Sequence, residues 1–243
     1  MKTIAIIPAR FASTRLQEKM ILAETGKTLI QHTYEQAMKA GCFDDVIVAT
    51  DDERILKAVQ YFGGKAMMTD VNHQSGTDRI AEVVKTDETV EIIVNVQGDE
   101  PEIEPNYLSM LVKEMQANPE IELATLACPL SLKDAVKPAA VKVVCTKDNF
   151  ALYFSRAKIP YQRDESINPE YFLHVGVYAY RRSTLLKMTE LAQTPLEKAE
   201  KLEQLRALEN NIRIKVLKVP HSTKGIDTRE DYDAFVKRWK SMT

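Results

Sequence analysis

Between Ile6 and Lys19 the chain reads IIPARFASTRLQEK, an apolar run that gives way to Arg10, Arg15 and Lys19. A loop after a first strand lies at the carboxyl edge where open α/β sheets bind ligands. Forked guanidinium donors and an ammonium there suit phosphate oxygens. The segment matches neither GxGxxG nor GxxxxGK[ST], so both glycine-rich nucleotide motifs fail, and an exposed basic loop accounts for it equally well. Opposite charge arrives further along. NVQGDEP (95–101) ends an alternating apolar strand in Gln97, Gly98 and Asp99. One or two carboxylates with phosphate oxygens make a site for a hard cation such as Mg2+, although Gly98-Asp99-Glu100-Pro101 is also a turn, the more ordinary reading. GIDTRED (225–231) offers Asp227 or Thr228 as the cap of a last helix, with Glu230 nearby. If the preceding strand lies in the main sheet, Asp227 can share a metal with Asp99.

Other segments carry weaker chemistry. In QSGTDR (74–79), Ser75 or Thr77 can cap a helix whose free amides, with Gly76 allowing close approach, bind a phosphate or read the edge of a base. Arg79 projects one turn in, and a plain capped helix with a surface arginine satisfies the same residues. In SRAKIPYQR, Arg156 and Arg163 flank a proline-stiffened loop and could clamp a carboxylate bidentately. His174 and Tyr178 lie four apart on the strand HVGVYAY and so share a face, offering donors to hydroxyl groups. In EKAEKLEQLR, Glu200, Glu203 and Gln204 neighbour one another at helical spacing beside a stripe of Leu202, Leu205 and Leu208. A structural histidine and solvated glutamates are the ordinary accounts of these.

The elements that must position these residues alternate. Strands are predicted over 3–9, 46–50, 65–69, 92–97 and 122–128, with helical patterns filling the gaps, the signature of a mostly parallel α/β sheet with crossover helices. TLIQHTYEQAMKAG puts Ile30, Tyr34, Ala37 and Met38 on one helical face, with Gly41 as a stop. After about residue 130 the rhythm changes. Strands at 141–146, 174–180 and 213–219 remain, but FALYFSRAKIPYQRDESINPE reads as loop, more typical of a lobe over a site. One helix is predicted over 194–210, with Thr194 as cap, Pro195 at its first position and Glu197 completing a capping box, and another over 227–242.

At 243 residues and 44% hydrophobic the chain can bury a substantial core, read as one body with a lobe over about 130–220. With 33 basic and 35 acidic residues the net charge is −2, which gives no electrostatic reason to expect nucleic acid as a partner. Cys42, Cys128 and Cys145 are far apart and outside any CxxC pattern, so they read as small buried hydrophobes. No apolar run approaches the roughly eighteen residues of a membrane span, and the beginning lacks a signal-peptide pattern. A cytoplasmic location is expected.

The order of PARFASTRLQEK, HQSGTDR, VNVQGDEP, LYFSRAKIPYQR, HVGVYAY, EKLEQLRALE and GIDTREDY closely resembles the CMP-Kdo synthetases, the 3-deoxy-manno-octulosonate cytidylyltransferases, from Ile4 to about Phe235. The basic loop alone would extend to other sugar nucleotidyltransferases. The resemblance implies a Rossmann-like nucleotide-diphospho-sugar transferase fold with a smaller sugar-binding and dimerisation lobe, a homodimer, and formation of CMP-Kdo and diphosphate from CTP and the acid sugar, for lipopolysaccharide synthesis. It implies that Arg10 and Lys19 hold the triphosphate, that Ser75 and Arg79 with backbone near Ala9 surround the cytidine, and that Asp99 and Asp227 ligate Mg2+. Gln97, Arg156, Arg163, His174, Tyr178 and Glu203 would face the sugar, the arginines taking its carboxylate. No residue stands out as a dedicated general base, so metal activation is expected to substitute for one. One departure matters. The family pattern after arginine-leucine is proline, glycine, lysine, proline, whereas this chain has Gln17, Glu18, Lys19 and Met20. An altered substrate, such as an 8-amino analogue of the sugar or sialic acid, or a non-catalytic sugar-nucleotide binding protein, would be the alternatives.

Overall fold

In the computed structural model, which describes residues 1–12 and 16–242, the first apolar run forms strand β1 (Lys2–Ala9). It pairs in parallel with β2 (Asp45–Thr50) on one side and β4 (Val90–Asn95) on the other, and β2 pairs in parallel with β3 (Lys65–Met68), in the order β3-β2-β1-β4. The connecting helices are α1 (Leu29–Lys39), α2 (Glu53–Tyr61) and α3 (Gly76–Lys85), and α4 (Pro105–Ala117) follows β4. Burial along β1 and β4 is nearly continuous, as helices on both faces of a parallel sheet require. Helices α1, α2 and α3 each begin where a short polar side chain accepts an orphan amide: Thr28 from Gln31, Asp52 from Arg54 and Ser75 from Asp78. The α1 stripe runs through Leu29, Ile30, Thr33, Tyr34 and Ala37. Met38, predicted to share that face, falls beyond its edge and is 55% exposed.

The described residues fall into two compact units, Met1–Val112 with Thr223–Thr243, and Lys113–Ser222. The second unit thus begins earlier than the lobe predicted from residue 130, and the last helix, α9 (Arg229–Met242), belongs to the first. There Leu16, Leu29, Ile226, Tyr232, Phe235 and Val236 form a buried cluster.

The second unit contains β5 (Leu123–Leu130), α5 (Leu132–Ala135), β6 (Lys142–Cys145), β7 (Ala151–Ser155), β8 (Tyr171–Arg181), α6 (Arg182–Glu190), α7 (Pro195–Glu200), α8 (Gln204–Glu209) and β9 (Ile214–Lys218). β5 runs antiparallel to β8 and parallel to β9, while β6 pairs antiparallel with β7 and β8. The mostly parallel α/β architecture is therefore present, with parallel pairs in the first unit and the antiparallel pairs β5–β8, β6–β7 and β6–β8 in the second. Strand β7 lies inside the stretch predicted as loop, because Phe154 is fully buried and its neighbours pair with β6. Helix α6 carried no sequence expectation. The single helix predicted over 194–210 is broken: Lys201 takes a left-handed conformation at φ 54° and ends α7. Glu200 and Glu203 therefore close one helix and open the next, instead of sharing a face. Cys128 is buried as predicted, whereas Cys42 and Cys145 are only half-buried.

The break is held by charge. Of the predicted capping box of Thr194 and Glu197, the half from Glu197 forms: its carboxylate accepts from the Thr194 amide at 3.2 Å, and also from Arg206 Nε at 2.8 Å and Nη2 at 2.5 Å. Both side chains are buried, so removal of one partner strands the other's charge. Glu197→Ala should lower the unfolding free energy by about 3–5 kcal/mol, which denaturant unfolding at neutral pH would measure.

Candidate active site

The carboxyl ends of β1 and β4 lie side by side, and the loops that follow carry the candidate nucleotide residues. Ala9 ends β1 with its side chain buried. Gly98 sits where a Cβ would come within 3.1 Å of both the Pro8 carbonyl oxygen and Met20 Sδ, so a larger residue would have to push β1 or Met20 aside by a few tenths of an ångström. The buried Thr33 hydroxyl donates to the Gly98 carbonyl at 3.0 Å and fixes the turn from α1. Asp99 follows, and its carbonyl accepts from the Ile226 amide at 2.9 Å. That bond brings the start of α9 to the end of β4 and places Asp227 beside Asp99.

Thr228, not Asp227, caps α9. Its hydroxyl oxygen accepts from the Asp231 amide at 3.2 Å, and the Asp231 carboxylate accepts from the Thr228 amide at 3.0 Å. Lys224 beside Asp231, with the bonds from Thr228 and Asp227 added, holds that carboxyl down at about 2. The Asp227 carboxylate is thereby spared the capping role. The Lys19 ammonium lies between the two aspartates, 2.7 Å from Asp99 Oδ2 and 3.7 Å from Asp227 Oδ1, and donates to the Ile226 carbonyl at 2.8 Å. The cavity here, about 310 Å3, is lined by Arg10, Lys19, Gln97, Asp99 and Asp227 among others. Next to it, burial pushes the Glu100 carboxyl up to about 7; the Asp99 and Asp227 charges add to that, and the Thr223 hydroxyl, donating at 3.0 Å, opposes it.

The donor set fits a hard divalent cation. Two carboxylates converge on one positively charged nitrogen, which stands in for the ion, and open space beside them leaves room for phosphate oxygens. Among the described residues no group of three or more His, Cys, Asp or Glu could hold a metal, so the remaining ligands would have to come from substrate and water.

Arg10 lines the cavity and donates to the His73 carbonyl at 2.8 Å. Arg79, in contrast, is completely buried: its guanidinium donates to Thr69 Oγ1 at 2.5 Å and to Asp51 Oδ2 at 2.9 Å. Asp51 in turn accepts from the Phe11 amide at 3.2 Å, so Arg79 braces the basic loop from behind. The Ser75 hydroxyl is engaged with Asp78 in a capping box. Asp51 and Thr33 carried no signal in the sequence, since their partners lie 40 and 65 residues away. Arg15 lies outside the described residues. Glu18, where the family pattern has glycine, adopts φ 55° and ψ 21°, a left-handed conformation. A non-glycine residue there costs roughly 1–2 kcal/mol. Its carboxylate points to Arg54 at 4.0 Å, and that guanidinium lies 3.3 Å over the Phe11 ring.

In the second unit the candidate sugar residues divide. His174 and Tyr178 face the same way, their rings 5.4 Å apart. The shared face survives a bulge, because β8 inserts extra residues where Thr125 pairs with Tyr178 and Leu126 with Val175. Thr125 donates to the Val177 carbonyl at 2.8 Å and meets His174 Nε2 at 3.1 Å, so a hydroxyl committed to the carbonyl leaves the imidazole to donate from Nε2. Burial lowers the His174 ring to about 4. Burial also raises the Tyr178 phenol, with Tyr180 and the Glu203 charge adding to it. Glu203, which opens α8, stands 3.8 Å from Arg206. Arg163 is exposed on the loop after β7. Arg156 is occupied: it donates from Nε to the Glu200 carbonyl at 2.7 Å and from Nη1 to the Pro138 carbonyl at 3.2 Å. A second cavity, of about 300 Å3, is lined by Pro129, Leu130, Tyr171 and Phe172 among others, and none of the candidate residues faces it.

Comparison with known proteins places the chain among nucleotidyltransferases. The model of the family described as cytidylyltransferase matches residues 4–214. A 3-deoxy-manno-octulosonate cytidylyltransferase of Rhodopirellula baltica is 46% identical over the whole of both chains. One from Fusobacterium nucleatum is also 46% identical, over 97% of this chain and 96% of its own. A solved structure of a CMP:2-keto-3-deoxy-manno-octonic acid synthetase complexed with CTP superposes with a TM-score of 0.97 at 42% identity, covering all of both chains. A 4-diphosphocytidyl-2C-methyl-D-erythritol synthase from Anaerococcus prevotii, 14% identical with a TM-score of 0.66 over 99% of both chains, shares the fold alone.

The lowered His174 ring has a consequence for acid stability. Its folded value, about 4, lies below the ordinary 6.5, so the unfolded chain takes up the proton first as pH falls. The stability this residue permits is complete above 6.5 and is lost as pH drops from there towards 4. Thermal unfolding should show His174→Gln losing less stability between pH 7 and pH 5 than the unmodified protein, and NMR should find the His174 ring titrating near 4.

Proposed function

The chain belongs to the 3-deoxy-manno-octulosonate cytidylyltransferase family, and from that premise we propose that it transfers the cytidylyl group of CTP to 3-deoxy-manno-octulosonate, giving CMP-Kdo and diphosphate. Full-length identity of 46% to named enzymes supports the substrate pair, and the product is the activated sugar for lipopolysaccharide assembly. The observation that carries the chemistry is the convergence of Asp99, Asp227 and Lys19 in one cavity with Arg10.

In this reaction the anomeric hydroxyl of the sugar attacks the α-phosphorus of CTP and the diphosphate leaves. Two polyanions meet while further negative charge develops, so the work of the protein is positioning and charge compensation. Arg10, tied to the His73 carbonyl through one guanidinium nitrogen, keeps its remaining donors for phosphate oxygens. Lys19 supplies a second positive charge on a long flexible stem. Arg79, Asp51 and the Phe11 amide keep the loop that carries them in place. Asp99 and Asp227 would hold Mg2+, which supplies charge for the phosphates and lowers the pKa of a bound hydroxyl.

His174, Tyr178 and Glu203 supply hydroxyl-binding groups in the second unit, with the imidazole kept neutral and its Nδ1 an acceptor. Arg163 is the exposed arginine of the pair, free to turn towards the sugar carboxylate, whereas Arg156 would reach it only with the donors left over from the Glu200 and Pro138 carbonyls. The same reading takes the enzyme to be a magnesium-dependent homodimer of the cytoplasm, the last supported by three free cysteines.

Diphosphate release measured with CTP, Mg2+ and a panel of acid sugars tests the assignment. Release with 3-deoxy-manno-octulosonate is expected, and turnover with sialic acid alone would overturn it. Asp99→Asn should lower kcat by about a hundredfold or more, the worth of several kcal/mol of charge stabilisation. Near-normal turnover in that variant would return Asp99 to the role of a turn residue.

A further inference from the structure

Lys19 is placed where it cannot do all that the active site asks. Its side chain is 8% exposed, and its ammonium lies 2.7 Å from Asp99 Oδ2, 2.8 Å from the Ile226 carbonyl and 3.7 Å from Asp227 Oδ1. A magnesium ion bound by those aspartates has ligand distances of about 2.0–2.1 Å and needs the space between them. Ammonium and ion are both positive, so occupancy by one excludes the other. The ammonium also has somewhere to go. Its stem has four flexible carbons, and Lys19 borders the same cavity as Arg10, where the phosphates of CTP would lie.

Without a cation the pair would be costly to hold. Asp99 and Asp227 are fixed next to each other by the Ile226–Asp99 backbone bond. Two carboxylates that both lie within 4 Å of one ammonium repel each other when that positive charge is taken away. An internal ammonium removes that cost while no metal is bound.

We propose that Lys19 is a built-in placeholder cation, which neutralises the Asp99–Asp227 pair in the metal-free enzyme and yields that position to the divalent ion as its ammonium passes to the triphosphate. The inference rests on the reading of these aspartates as metal ligands. Metal without nucleotide must expel the ammonium with no phosphate to receive it, and nucleotide without metal must draw Lys19 from two carboxylates. Either ligand therefore binds weakly alone, and each strengthens the other by the same factor.

The test measures Mn2+ binding by EPR of the free ion, in the absence of nucleotide, on the full chain. Lys19→Met keeps the buried stem and removes the competitor, so Mn2+ affinity should rise about five- to a hundredfold, the usual range of a coupling between ligands. Lys19→Gln should move in the same direction, which keeps the test intact if one variant folds poorly. Arg10→Met removes a neighbouring positive charge without vacating the space between the aspartates, and should change the affinity far less. Unchanged or weaker Mn2+ binding in both Lys19 variants would overturn the placeholder role, as would an equal gain in Arg10→Met. Adding Asp99→Asn to Lys19→Met should abolish the tightened site. If the tightened binding survives that change, it is the ligand assignment that fails.

Discussion

The chemistry of the first unit depends on one backbone hydrogen bond, from the Ile226 amide to the Asp99 carbonyl. It joins residues that are far apart in the chain and sets two carboxylates side by side. The bond is protected because Ile226 is buried with Leu16, Leu29, Tyr232, Phe235 and Val236, so the apolar face of α9 anchors the segment that carries Asp227. Burial of that face is the favourable term, and charge crowding at the helix start is the cost it offsets. Lys19, the Thr223 hydroxyl and the shift of Glu100 towards its neutral form each reduce that cost.

Besides the buried Glu197–Arg206 pair, the second unit satisfies buried charge with backbone carbonyls. Lys142 is fully buried, and its three ammonium protons meet three carbonyls: Lys137 at 3.0 Å, Ala140 at 2.5 Å and Arg156 at 2.6 Å. Arg156 in turn spends its guanidinium on carbonyls, and the Glu200 carboxylate accepts from the Ser155 hydroxyl and the Arg156 amide. These bonds join β6, β7 and the end of α7 in one polar network. Full satisfaction is what permits charge to be buried at all. The same network explains why α7 stops where it does: its last carbonyl is occupied by Arg156, and Lys201 turns away in a left-handed conformation.

Local signals in the sequence were reliable where the physics is local. Ser75 caps a helix by a bond to the amide three residues on, and the strand runs before Ala9 and Asn95 need only apolar side chains of the right shape. Signals failed where a distant partner decides. Ala151–Ser155 reads as loop until β6 is beside it, and Met38 belongs to the apolar pattern of α1 although the sheet does not reach it. Asp227 and Thr228 are equally good caps by residue type, and only the Asp231 geometry shows that Thr228 takes the role. Arg156 and Arg163 look alike on either side of a proline loop, yet one is bound to carbonyls and the other is exposed.

By itself the sequence determined the α/β class, the positions of most elements and the set of charged residues from which a phosphate and metal site could be built, because periodicity, capping and residue chemistry act over a few positions. Tertiary structure alone decided how those charges are paired. Whether Lys19 faces a phosphate or two aspartates, whether Arg79 reads a ligand or braces a loop, and whether Glu18 can stand where glycine is usual all depend on contacts across tens to hundreds of residues. An ion pair is set by distance and burial, and neither quantity exists until the chain has folded.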